Sequence, residues 1–254
     1  MARKIVITSG KGGVGKTTLS VLVGRRLAKM GKKTLILDLD SSLNNLDVLL
    51  GVEDKVEFYL EDAVSGRCRA KQAIIGCVDN LYIMQSARLE SGYANGQSIR
   101  LLIEGLGERF DYIFFDCPAG VDASFHRAVS CADEAMVVIN CYPSSVRDAD
   151  KVINLIRGYR LKSVFAVANR TRKDLMMKRK SLSETSCEEI LKIPVIASIP
   201  ESDGILCLNK GDLPTLSLAA IAVAKLAKKI VKEDYTPIVE NRETLKRFDR
   251  RSRK

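Results

Sequence analysis

Residues Ser9 to Thr18 read SGKGGVGKTT, four glycines and two lysines placed directly behind the β-branched run Ile5-Val6-Ile7. Gly10 to Gly15 satisfy G-x-G-x-x-G, a weak signal alone, and also open G-x-x-x-x-G-K-[ST], which Lys16 and Thr17 complete. Glycines leave backbone N–H groups free to turn toward phosphate oxygens, and the helix that follows aims its positive end at the same anion. The stretch therefore predicts a phosphate-binding turn between a strand and a helix. Gly12, Gly13, Val14, Gly15, Lys16, Thr17 and Thr18 would line it, with Lys16 on the β- and γ-phosphates and the Thr17 hydroxyl on Mg²⁺.

Further runs of the same kind extend this reading along the chain: Leu35–Leu37, Leu81–Ile83, Tyr112–Phe115, Ala135–Ile139, Val164–Val167 and Val195–Ile199. Near-continuous apolar strands are what a parallel sheet covered on both faces requires. Between them, Thr17 to Met30, Asp148 to Arg160 and Leu216 to Val231 have helical spacing. The expected fold is α/β: a single three-layer P-loop domain with a mostly parallel twisted sheet over residues 1–235, followed by a short basic amphipathic tail over 236–254.

Bulk properties exclude several classes. A chain of 254 residues, 46% hydrophobic and 28% charged, buries a core without disulfides or metals. The N-terminal apolar run is too short for an export signal, and the longest apolar run, Leu218 to Ala224, is too short for a bilayer span. Seven scattered cysteines without C-x-x-C spacing read as free thiols in a reducing compartment. His126 is the sole histidine and reads as structural; no serine has a histidine partner at recognisable spacing, so nucleophilic hydrolase chemistry has no support.

Asp38 ends the second strand, where a dinucleotide fold would place its ribose-binding acid. That reading leaves Lys16-Thr17-Thr18 without a role, whereas Asp116 at the end of YIFFD supplies the second acid that a magnesium–triphosphate site needs. Asp38 and Asp47 also have an ordinary alternative as helix caps.

Lys11 is unexplained by an ordinary phosphate loop. With KGGVGKT, LDLDSSLNNLDVLLG (Leu37–Gly51), DCPAG (Asp116–Gly120), SSVRDADKV (Ser144–Val152) and IPES (Ile199–Ser202), the chain resembles the deviant Walker A ATPases, most closely their septum-site-determining branch. The resemblance implies an ATP-dependent homodimer in which Lys11 crosses to the partner's phosphates. By it Lys11, Lys16 and Asp40 would be catalytic, Asp40 orienting the attacking water. Thr17, Asp38 and Asp116 would serve Mg²⁺, and Asn169, Pro200 and Glu201 would border the adenine. Asp148 and Asp150, in a helix begun by SSVRDADK, would help hold a MinC-like division inhibitor, and a MinE-like activator would drive turnover. Ser42 and Asn44 depart from the family's first switch, where glycine and a basic residue are usual.

From Asn241 onward seven Lys/Arg stand against Glu243 and Asp249, half of the net +10. If a helix starts at Thr236-Pro237, then Ile238, Leu245 and Phe248 share a face at about 100° per residue, with Asp249 intruding. The expectation is a protein of the cytoplasm that attaches reversibly to the anionic inner face of the cell membrane. The competing reading is a DNA-partitioning ATPase of the same superfamily using RTRKDLMMKRK (Arg170–Lys180), and it is the weaker: a nucleic-acid partner is not expected. An iron–sulfur relative would need bridging cysteines soon after Gly120, and the next is Cys131.

Overall fold

A computed structural model describes residues 1–40, 46–86, 95–106, 108–204 and 217–238. Ser42, Asn44, Leu245 and Phe248 lie outside the described residues. Among those described, eight strands form one sheet: β1 Arg3–Thr8, β2 Thr34–Asp38, β3 Ile75–Val78, β4 Leu81–Gln85, β5 Tyr112–Asp116, β6 Glu134–Ile139, β7 Ser163–Thr171 and β8 Val195–Pro200. Their order is β3-β4-β2-β5-β1-β6-β7-β8, parallel throughout except β3 against β4. The seven apolar runs are seven of these strands. The eighth, β3, escapes a search for apolar runs because Gly76 and Val78 are exposed on this edge strand.

Nine helices cover the sheet among the described residues: α1 Lys16–Lys29, α2 Leu46–Leu50, α3 Leu60–Val64, α4 Gly96–Leu106, α5 Ala123–Cys131, α6 Pro143–Ile156, α7 Lys173–Met177, α8 Glu184–Leu191 and α9 Leu218–Lys232. Side chains of each strand alternate between two cores, as a period of two dictates. Ile5, Ile7, Ile36, Phe114, Met136 and Phe165 pack under α1 and α9, whereas Val6, Leu37, Phe115, Val137 and Ala166 pack under α4, α5, α6 and α8. The three layers place every loop that follows a parallel strand at one end of the sheet. Cys117, Cys131, Cys141 and Cys187 are buried free thiols, small hydrophobes in effect.

The opposite, amino end is closed by a polar cluster. Arg3 donates from Nε to Glu134 Oε1 (2.8 Å) and from Nη2 to Oε2 (2.9 Å), Ser163 donates to the same carboxylate (2.8 Å), and the Tyr235 hydroxyl joins them. Burial alone would raise the Glu134 pKa, but these donors hold it below the usual carboxylate range. Tyr235 stacks on Phe165 with ring centroids 4.6 Å apart, and Ile238 N–H donates to Val195 O at 3.0 Å while its side chain packs against the core beneath α8. The segment after α9 is thus strapped under the sheet. No helix forms over Thr236–Ile238; the strand-like tether to Val195 takes its place, and Ile238 is half-buried against the body instead of standing free on an amphipathic face.

Candidate functional site

Everything chemical gathers at the carboxyl end of the sheet, where β1 lies between β5 and β6 and its loop enters α1. The turn needs its glycines for stated reasons. Gly13 and Gly15 have φ of 73° and 96°, which a β-carbon disfavours. Gly10 lies so close to α6 that a Cβ would stand 2.1 Å from the Asp148 carbonyl carbon. At Gly15 a Cβ would also meet Asn169 Nδ2 at 2.4 Å.

Lys16 is buried at the first turn of α1 and donates from Nζ to Ser9 Oγ at 3.1 Å; Ser9 donates in turn to the Lys11 carbonyl at 2.8 Å. Lys11 itself is exposed. The backbone and the two lysines therefore separate into an inner and an outer cation.

Asp38 and Asp116 end adjacent strands in direct register and are 2% and 1% exposed. Burial raises the Asp116 pKa to about 6, against the pull of hydrogen bonds from Thr17 and Ser20 and of the Lys16 charge. Asp38 is raised well above its ordinary value, first by burial and then by the neighbouring Asp116, although the Asp40 N–H donates to its Oδ1 at 3.0 Å. Neither Asp38 nor Asp47 caps a helix from outside: Asp38 closes a strand, and Asp47 sits inside the first turn of α2. Two buried carboxylates beside two hydroxyls are hard oxygen donors, and among the described residues no group of three or more His, Cys, Asp or Glu side chains surrounds a metal. That donor set suits Mg²⁺ completed by phosphate oxygens and water, not a zinc or iron site.

On the far side, Asn169 at the end of β7 is buried, donating from Nδ2 to Val14 O at 2.8 Å, and its own carbonyl accepts from Asn140 Nδ2 at 2.9 Å. Pro200 ends β8, and the Glu201 carboxylate accepts from Arg170 at 2.9 Å and from Arg172 at 3.5 Å. Arg170, at φ 53°, also reaches Gly13 O at 3.5 Å. Arg172 binds Asp174 as well, so both arginines of the RTRK stretch are engaged by carboxylates of this chain. Asp148 and Asp150 lie on α6, which begins at Pro143; both are partly exposed, the first paired with Lys151 at 3.2 Å and the second accepting from Asn154 at 3.4 Å. The structure thus brings together the loop, Asp38, Asp40, Asp116 and Asn169, and sets Asp148 and Asp150 on a neighbouring helix. Ser9, Ser20, Asn140 and Arg170 are bracing residues that motif reasoning missed. Only the position of Ser20, one helical turn after Lys16 on the same face, could have flagged one of them.

A phosphate loop with a buried inner lysine, an exposed outer lysine and paired strand-end aspartates defines a P-loop nucleoside-triphosphate-binding protein of the deviant Walker A type. An AAA domain family model matches residues 2–167. The chain is 36% identical to the septum site-determining protein MinD of Synechocystis over 242 residues, covering 92% of this chain and 91% of that one. Among solved structures, the MinC:MinD cell division protein complex of Aquifex aeolicus superposes with a TM-score of 0.84 at 34% identity, covering 94% of this chain and 99% of that one. MinD of Pyrococcus horikoshii, complexed with Mg-ADP, superposes with a TM-score of 0.82 at 30% identity, covering 92% and 97%. The chain belongs to the MinD family of septum site-determining proteins.

Proposed function

We propose that the protein is an Mg²⁺-dependent ATPase that dimerises on ATP, attaches to the anionic inner face of the cell membrane through its tail, and recruits a MinC-like division inhibitor there until a MinE-like activator drives hydrolysis. The observation that carries this reading is a buried loop lysine, Lys16, whose charge acts on Asp116 of the register-paired Asp38–Asp116 couple. A bound Mg²⁺ would draw charge from the phosphates during transfer. Lys16 holds a positive charge beside the β- and γ-phosphates, and Thr17, Asp38 and Asp116 would hold the cation. Asp40 lies at the mouth, where it orients the attacking water. Lys11 projects outward to the phosphates of the facing protomer, placing a second cation against charge that develops in the transition state.

Asn169, Pro200 and Glu201 border the adenine. Because Asn169 Nδ2 is committed to Val14, its Oδ1 is the atom that meets the exocyclic amine. Asp148 and Asp150 present acceptors to the inhibitor; that the Aquifex relative is found in a complex with MinC supports a partner of this kind. No described helix is long and apolar enough to cross a membrane, so the anchoring role falls to Leu245 and Phe248 with the basic side chains around them.

Sedimentation with phosphatidylglycerol vesicles tests the switch, using the full chain and a Leu245→Gln/Phe248→Gln variant, each in ATP and in ADP. Only the unaltered chain in ATP is expected to pellet strongly, since two tails on one dimer act at high effective concentration. Equal pelleting of all four samples refutes the switch.

A further inference from the structure

Away from the nucleotide site, the surface where α1 and α9 meet is basic. Neither helix contains an acid, and of their eight basic residues Lys16 belongs to the phosphate loop and Arg25 is buried, leaving six at least partly exposed. Where they meet, a groove of about 330 Å³ is lined by apolar Leu22, Ala220 and Ile221 and by basic Arg26, Lys225 and Lys228. Ile221 is 40% exposed, and Leu218, at the start of the same helix, 70%. Arg26 Nε is buried with no hydrogen-bond acceptor among the described residues. The nearest acid after α9, Glu233, turns away to Arg3 at 3.9 Å.

We propose that this groove is a second membrane contact, docking the folded body on an anionic phospholipid surface. The inference rests on the membrane reading above and extends it from the tail to the domain. Exposed apolar side chains beside basic ones are the pattern of an interfacial element, apolar groups at the acyl boundary and cations among the phosphates. A nucleic-acid backbone would match the cations but set Leu218 and Ile221 against phosphate and water. The chain's own tail cannot fill the groove, because it is itself strongly basic. The last described residue after α9, Ile238, is tied to β8, the strand on which α9 packs, so the chain continues toward the tail from a strand that α9 covers. Two linked contacts on one surface reinforce each other through effective concentration.

Vesicle sedimentation of the full chain in ATP tests this, comparing it with Lys225→Gln/Lys228→Gln and with Ile221→Ser, all exposed positions outside the nucleotide site. Each lysine removed from an anionic surface weakens partition about five-fold, so the double variant should bind phosphatidylglycerol vesicles about 30-fold more weakly, with a shallower salt dependence. Ile221→Ser should weaken binding several-fold at any salt. Melting temperature and ATP affinity should not move in either variant. Unchanged partition of both variants overturns the groove while leaving the tail switch standing; absence of vesicle binding by the unaltered chain overturns both. Loss of duplex DNA binding by the double variant, with vesicle binding intact, assigns the groove to nucleic acid and also overturns the proposal.

Discussion

Replacing Asp116 by Asn should make the nucleotide-free protein more stable at neutral pH while destroying its use of Mg²⁺. Asp116 is 1% exposed and in register with Asp38, and its pKa stands at about 6 where an ordinary aspartate has 3.8. A carboxyl raised in the folded state binds its proton more tightly there than in the unfolded chain. Its contribution is therefore fully favourable below about pH 4 and is lost as pH rises toward 6. The gap corresponds to about 3 kcal/mol at neutral pH. Other carboxylates, Glu134 among them, are lowered and shift stability the other way, so the informative quantity is the difference between wild type and variant. Urea unfolding without nucleotide or metal should find Asp116→Asn more stable by roughly 2–3 kcal/mol near pH 7.5 and equal near pH 4. The amide keeps an acceptor for Ser20, which now donates to Asp116 Oδ1 at 3.1 Å. Adding Mg-ATP at about a hundred times Kd should stabilise wild type by about 2.7 kcal/mol and the variant by far less, reversing the order. A stability difference that is absent at neutral pH, or that does not change with pH, refutes the claim that the two acids are held under strain for a cation.

Two further outcomes follow from the loop. Lys11→Ala should leave ATP binding to the monomer within about three-fold, abolish ATP-dependent dimers in light scattering, and slow turnover at least about 100-fold; intact dimers with normal turnover would refute the outer-cation assignment. Gly10→Ala would place a methyl 2.1 Å from the α6 backbone and should cost about 3 kcal/mol in unfolding while weakening ATP binding, and an unchanged melting temperature and affinity would show that α6 moves freely.

The alternation of apolar runs with helical spacing made the layered sheet legible, because buried parallel strands need continuous apolar sequence. β3 was illegible for the converse reason: half of its residues face solvent on an antiparallel edge. Lys16, Thr17 and the strand-end acids could be read because spacing along the chain maps directly onto the turn and its helix. Asn140 and Arg170 could not, since each acts through a backbone carbonyl that only folding brings near. The segment at Thr236-Pro237 went astray for a related reason. A cap residue and a proline permit a helix, but the tether of Ile238 to Val195 is a long-range contact that local propensity does not contain.

The two ends of the sheet divide the work, and the helices carry what passes between them. Helix α1 starts at the phosphate loop with Lys16 and ends among Arg25, Arg26 and Lys29, so one rigid element joins the nucleotide cradle to the basic groove. Helix α6 starts beside Asn140, whose amide fixes the carbonyl of Asn169, and touches Gly10 through the backbone of the residue that bears the Asp148 carboxylate. Glycine at position 10 is thus required by the close approach of the α6 backbone. A displacement of the loop at Gly10 would meet that backbone with no side chain between to absorb it.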